Sequence, residues 1–235
     1  MRPTVRGCEA WALAAVLCAC GGGEPPPQAP EPAPEPQAAR PVPLKMKSEL
    51  GEVDPSAVTR TFHTLDDRFD ACQKRGLGRV EVLAGKLQFF LRIGEDGSAR
   101  WAYLEQTDLG DRATEKCLLD AVMAARWPKP DGGDAEARYT MELPPQGRPA
   151  TDWSADRVAA ALGKAGEAID QCKGGAGGAF KATVYVGPGG KVLSAGVAAS
   201  SKEGAGKVDC LASALERMKG LPSPGSWPAK VTFSL

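Results

Sequence analysis

The sequence predicts an α+β fold in which one α-β-β-α-β pattern is written twice, over residues 56–146 and 151–235. Three observations predict it. Placing Cys72 on Cys172, an offset of 100, brings a complete helical stripe into coincidence. An offset of 93 then superimposes a strand, a tight turn, a second strand and a second helical stripe. Both units close on a paired-proline stop and an alternating strand: Trp127-Pro128-Lys129-Pro130 precedes Tyr139, Met141 and Leu143, and Leu221-Pro222-Ser223-Pro224 precedes Val231, Phe233 and Leu235.

The elements follow in order. Val58, Phe62, Leu65 and Phe69 fall on Val158, Leu162, Ala165 and Ile169. Steps of four and three mark one face of a helix, and the cysteine sits in its last turn. Ser56 and Ser154 stand where N-caps belong. Leu87, Phe89, Leu91 and Ile93 match Phe180, Ala182, Val184 and Val186, alternating as a half-buried strand does. Next come Gly94-Glu95-Asp96-Gly97 and Gly187-Pro188-Gly189-Gly190. Asp-Gly and Gly-Gly allow the tight turn of a hairpin, so antiparallel strands are expected over 100–106 and 191–198. Cys117, Leu118, Ala121, Val122 and Ala125 then match Cys210, Leu211, Ala214, Leu215 and Met218, a second helix that Asp111 is placed to cap in the first unit. The change of offset reads as a shortened loop, 74–86 in the first unit and the Gly-rich 174–178 in the second.

Ahead of the repeat lie two segments that are not fold. Arg2 and Arg6 precede the apolar run 11–17, too short to span a bilayer and suited to the core of a secretory signal. Leu17-Cys18-Ala19-Cys20 resembles the bacterial lipobox. The resemblance implies a signal peptide over 1–19, cleavage before Cys20, and lipidation of Cys20 as a membrane anchor of several acyl chains. Gly21 in place of an aspartate favours the outer membrane in lipoproteins of this type. An ordinary secretory signal with incidental cysteines is the alternative. Residues 20–55 carry nine prolines between Pro25 and Pro43 and almost no aromatic or large aliphatic side chains, so they are expected to form a lipid-tethered, Pro-rich spacer.

The first unit resembles the AgmX/PglI C-terminal domain family. The residues that carry the resemblance are the helix ending in Cys72, Gly85-Lys86-Leu87-Gln88-Phe89-Phe90-Leu91-Arg92-Ile93, Asp96-Gly97, Glu115-Lys116-Cys117-Leu118 and Trp127-Pro128-Lys129-Pro130-Asp131-Gly132-Gly133. That family is typical of myxobacterial envelope proteins and is similar to the TonB and TolA C-terminal domains. The resemblance covers about 85 residues of the first unit and, more weakly, the second. It implies, for each unit, a three-stranded antiparallel sheet with two helices on one face. The second unit departs by losing the tryptophan before its proline pair and the charged turn.

Composition narrows the chemistry. Lys and Arg total 29 and Asp and Glu total 29, so no basic footprint for nucleic acid exists and no nucleic-acid partner is expected. His63 is the single histidine, which removes multi-His metal sites. Cys72, Cys117, Cys172 and Cys210 lie on apolar helical faces of the two units. Export permits disulfides, and Cys72 with Cys117 and Cys172 with Cys210 is the leading pairing. Buried free thiols and a site shared between the units stay open as alternatives. Zinc is disfavoured because no Cys-x2-Cys knuckle occurs. His63 and Cys72 are nine residues apart and share no helical face, which disfavours a thiol nucleophile with a histidine base. No catalytic residue, metal or cofactor is expected.

The functional expectation is a non-catalytic lipoprotein of the cell envelope, facing the periplasm or the cell surface, that serves as an interaction module in gliding or other envelope machinery. Protein partners are expected to pair with a sheet edge. Trp101, Tyr103 and Glu105 share one face of the second strand and are candidate partner-binding residues in an exposed aromatic patch, with ordinary packing under a loop as the alternative. Energy transduction in the manner of TonB or TolA, and ligand binding, are the competing expectations.

Overall fold

A computed structural model describes residues 50–235. The lipobox, Cys20 and the prolines of the spacer lie outside the described residues. The described chain is α+β, with two sheets, two hydrophobic cores and two disulfides.

Helix α1 spans Pro55–His63 and α2 spans Asp66–Leu77. The expected stripe is present, with Val58, Phe62, Leu65, Phe69 and Cys72 all buried. The single helix expected over it is corrected: the chain breaks at Thr64 and Leu65. Thr64 Oγ1 donates to the Thr61 carbonyl at 2.6 Å, and Leu65 N–H bonds to Phe62 in an i→i−3 closure. This tightens the last turn before Asp66 and Asp67 open the next helix with acidic side chains at its positive end. The N-cap of α1 is Asp54, which accepts from Ser56 N at 2.8 Å, so the Ser56 expectation is also corrected. Proline at the first helical position suits the missing donor there.

Strands β1 (Gly85–Ile93) and β2 (Ala99–Thr107) form the expected hairpin, and helix α3 (Arg112–Ala124) follows. Asp111 caps α3, accepting from Thr114 N at 3.2 Å. Strand β3 (Ala135–Leu143) returns to β1, giving an antiparallel sheet in the order β2-β1-β3. Leu87, Phe89, Leu91 and Ile93 of the central strand face α2 and α3 and are buried. Trp127 closes this core. Its Nε1–H donates to the Val122 carbonyl at 3.1 Å, and its ring meets Phe62 edge-on at 4.8 Å. Residues 74–86, expected as a plain loop, supply Val80, Val82 and Leu83 to the same core.

Strand β4 (Thr151–Trp153) opens the second sheet. A 3₁₀ turn, Ala155–Arg157, leads into α4 (Ala159–Lys173), and Ser154 makes no side-chain cap bond there, a second capping correction. Strands β5 (Phe180–Val186) and β6 (Val192–Ala199), the short helix α5 (Lys202–Ala205), α6 (Val208–Glu216) and β7 (Ala229–Ser234) complete the chain. The sheet order is β4-β7-β5-β6. The expectation of three antiparallel strands is corrected here. The sheet has four strands, and β4 runs parallel to β7, with Thr151 opposite Ala229 and Trp153 opposite Val231. A parallel partner needs a long crossover, and 154–228 supplies one.

The disulfides pair as expected. Cys72–Cys117 ties α2 to α3 and Cys172–Cys210 ties α4 to α6.

Candidate functional site

All described residues belong to one compact unit, so the two sheets meet along a junction. Alternation in β5 sends Ala182, Val184 and Val186 toward α4 and α6, and Thr183 and Tyr185 to the other face. Register places Gly196 opposite Thr183, Ser194 opposite Tyr185, and Lys230 of β7 opposite Tyr185. This small and polar face is packed on residues 107–111 and the start of α3.

Tyr185 is the centre of the contact. Its ring belongs to the core of the first sheet. Its hydroxyl donates to the Ala84 carbonyl at 2.9 Å and accepts from Ala84 N at 3.2 Å. Burial pushes the phenol up to about 12. Lys230 Nζ donates to the same carbonyl at 2.9 Å and lies 3.5 Å from Asp108. Burial lowers its pKa. A cleft of about 260 Å³ opens beside this group, lined also by Glu142 and Asp152. The hydroxyl and the ammonium are both committed to Ala84 or Asp108, so the cluster acts as a lock between sheets.

Gly110 and Gly196 permit the closest approach. Gly110 has a φ of +72° and its carbonyl accepts from Ser194 Oγ at 2.8 Å. A side chain at Gly196 would overlap Glu115 Oε1 and the Gly110 Cα. Glu115 is itself fully buried. Thr107 Oγ1 donates to its Oε1 at 3.3 Å, Arg112 Nη1 lies 4.0 Å from Oε2, and Oε2 makes no hydrogen bond among the described residues. Desolvation raises this carboxyl to about 8 against the pull of Arg112.

The candidate partner-binding residues fall elsewhere than expected. Trp101, Tyr103 and Glu105 lie on β2, which is packed against β6 and α5. Trp101 and Tyr103 stack on Phe90 with ring centroids 5.4 and 5.2 Å away. Arg138 lies over Phe90 at 4.3 Å and pairs with Glu105 at 2.8 Å, while Lys202 of α5 sits over Trp101. Tyr103 is left only 7% exposed. The expected exposed patch is thus corrected to an aromatic stack roofed by cations, because α5 and β3 supply the roof from distant sequence.

One feature of the sheets is uncovered. Strand β3 has nine residues and pairs with β1 on one side only, and no other strand pairs with it among the described residues. Glu136, Arg138, Thr140 and Glu142 are exposed along it. The remaining edges are occupied or short: β2 and β6 lie against each other, β7 carries β4, and β4 has three residues. The sequence signal for β3 was its alternation. The occupancy of the other edges had no local signal.

Among the described residues no group of three or more His, Cys, Asp or Glu could hold a metal ion, and no helix is long and apolar enough to cross a membrane. His63 is exposed and pairs with Asp66 at 3.4 Å. Cys72 is disulfide-bonded, so the thiol–histidine arrangement does not occur. Comparison with protein-family models, curated proteins and solved structures finds no match.

Proposed function

We propose that the chain is a non-catalytic outer-membrane lipoprotein, anchored at Cys20 and raised on its proline spacer, that binds an envelope protein through the edge of its first sheet. In this reading residues 56–146 and 151–235 are tandem α-β-β-α-β units of the AgmX/PglI C-terminal type. The second is a degenerate copy that became a support for the first. The observation that carries the proposal is the open edge of β3. A nine-residue edge strand presents alternate unpaired N–H and C=O groups, which an extended segment of a partner can satisfy. The charged side chains of Glu136, Arg138 and Glu142 along this edge limit self-association.

Photo-crosslinking residues placed separately at Thr140 and Glu142 of the lipidated protein, with the exposed Glu167 on α4 as control, test this in intact envelopes. Adducts with one protein are expected from the β3 positions alone. The Glu142 adduct should be lost on Thr140→Pro, because the N–H of Thr140 points away from β1, provided that variant keeps the parent's melting temperature. Equal yields from Glu167, or a Glu142 adduct that persists after the β3 edge is blocked, would overturn the proposal.

A further inference from the structure

The groove between α2 and α3 has a chemistry that the interaction reading does not use. It is an open groove of about 660 Å³ over the Cys72–Cys117 disulfide, lined by Arg68, Arg75, Lys116 and Asp120 among small residues. Cys72 is 2% exposed, and Cys117 is partly exposed. Arg68, Cys72 and Arg75 follow the four and three steps of one helical face, and both arginines line the groove beside the bond. Arg75 Nη2 lies 2.6 Å from Cys117 Sγ and 3.6 Å from Cys72 Sγ, so it faces whichever sulfur leaves as a thiolate. Lys116 pairs with Asp120 at 3.4 Å, but neither Arg68 nor Arg75 has a carboxylate partner among the described residues. A disulfide is neutral and needs no counterion. The thiolate released when it opens does need one.

The second disulfide is a built-in contrast. Cys210 is exposed, so attack on it is sterically easier. No side chain bonds to its sulfurs among the described residues: the adjacent charges are paired, Lys173 with Asp170 and Asp209 with Arg112, and the ammonium of Lys207, three residues from Cys210, lies by Gly174 at the end of α4 without bonding either sulfur.

We propose that Cys72–Cys117 is a thiol–disulfide exchange site for a dithiol reductant, with Arg75 stabilising the leaving thiolate, while Cys172–Cys210 is a structural bond. The reductant's thiolate attacks the partly exposed Cys117 Sγ. A new S–S bond forms to Cys117, the Cys117–Cys72 bond breaks, and its electron pair leaves on Cys72 as a thiolate facing Arg75. The second thiol of the reductant loses its proton and attacks its own sulfur in the mixed disulfide, releasing Cys117 as a thiolate. Two electrons pass to the protein, the dithiol becomes a disulfide, and its two protons go to solvent or to the new thiolates. A better-stabilised leaving thiolate departs faster, and a cationic rim concentrates an anionic attacker.

The test exposes the full folded chain separately to glutathione, an anionic thiol, and cysteamine, a cationic one, at low salt and at about 1 M salt, where the Debye length falls to about 3 Å. Acid quenching, alkylation and peptide mass mapping then read each cysteine. Cys72 and Cys117 are expected to react before Cys172 and Cys210. Glutathione should outpace cysteamine at the first bond, with the gap closing in high salt. Arg75→Gln should slow exchange at Cys72–Cys117 by about 3–10-fold and leave Cys172–Cys210 unchanged. First opening of Cys172–Cys210, equal rates at the two bonds, or an unaltered rate in folded Arg75→Gln would overturn the proposal. Should that variant fail to fold, the ratio of the two thiols on the parent protein decides alone.

Discussion

Burying a carboxyl without a full set of hydrogen-bond donors disfavours its charged form, and Glu115 meets this condition at the junction of the two sheets. The groups around it are Arg112 at 4.0 Å, Asp111 on the same helical end, Thr107 from β2 and the Val197 backbone from β6, with Arg112 drawn away by Asp209 at 2.6 Å. A carboxyl raised from 4.5 to about 8 binds a proton in the folded state that the unfolded chain has released between those values. Its contribution to stability is therefore neutral below about pH 4.5. It falls as pH rises toward 8 and levels off beyond, with a slope of at most about 1.4 kcal/mol per pH unit. Glu115→Gln keeps the shape of the protonated acid and has no proton to lose. Urea unfolding from pH 5 to 9 should show the parent losing stability relative to this variant with rising pH. Parallel curves would mean that Glu115 is ionised in the folded protein.

At the scale of the element, both helix pairs carry the same crosslink over different cores. Closing separations of 45 and 38 residues contributes about 4 kcal/mol in each case by loop entropy. For a protein of this size that amounts to about 10 °C in melting temperature. The first core holds Phe62, Phe69, Phe89 and Trp127, whereas the second relies on Ala161, Ala182, Ala195, Ala199, Ala212 and Ala214. Less apolar area per residue leaves α4 and α6 more dependent on their bond. Cys172→Ala with Cys210→Ala should therefore cost more amide-exchange protection in α4 and α6 than Cys72→Ala with Cys117→Ala costs in α2 and α3. The reverse order would mean that the aromatic core does not hold the first helix pair. This ranking also lets Cys72–Cys117 open without loss of the first sheet. Both cysteine pairs were legible because they ride on apolar stripes, and so were the strands whose alternation is strict. The break at Thr64 was not legible, since it depends on one local hydroxyl bond inside an unbroken hydrophobic pattern. Nor was β4: three residues with a single aromatic carry no strand signal until β7 is beside them. Trp101 and Tyr103 were read on the correct face of their strand, but their cover comes from α5 and Arg138.

Across the whole molecule the two cores are tied by a residue whose sequence position gives no hint of it. In β5 Tyr185 alternates outward, where a strand of an independent sheet would meet water, yet its side chain completes the first core and bonds Ala84 at both its N–H and its carbonyl. Two sheets joined in this way should unfold together in a single calorimetric transition. Tyr185→Phe keeps the ring and leaves the part-buried Ala84 N–H, at the edge of the cleft, without its partner, while Lys230 still serves the carbonyl. The expected cost is about 0.5–1.5 kcal/mol, with the single transition preserved. Tyr185→Ala removes the ring as well, opens a cavity in the first core and severs the tie, at a cost of about 3–5 kcal/mol. The discriminating readout is the shape of the melt. With Tyr185→Ala the calorimetric enthalpy should exceed the van't Hoff enthalpy, because the second sheet retains its own core and disulfide after the first has melted. A melt that stays two-state in the alanine variant would show that the sheets are coupled mainly through Ser194, Gly196 and Arg112–Asp209, and that Tyr185 fills space without joining the two halves.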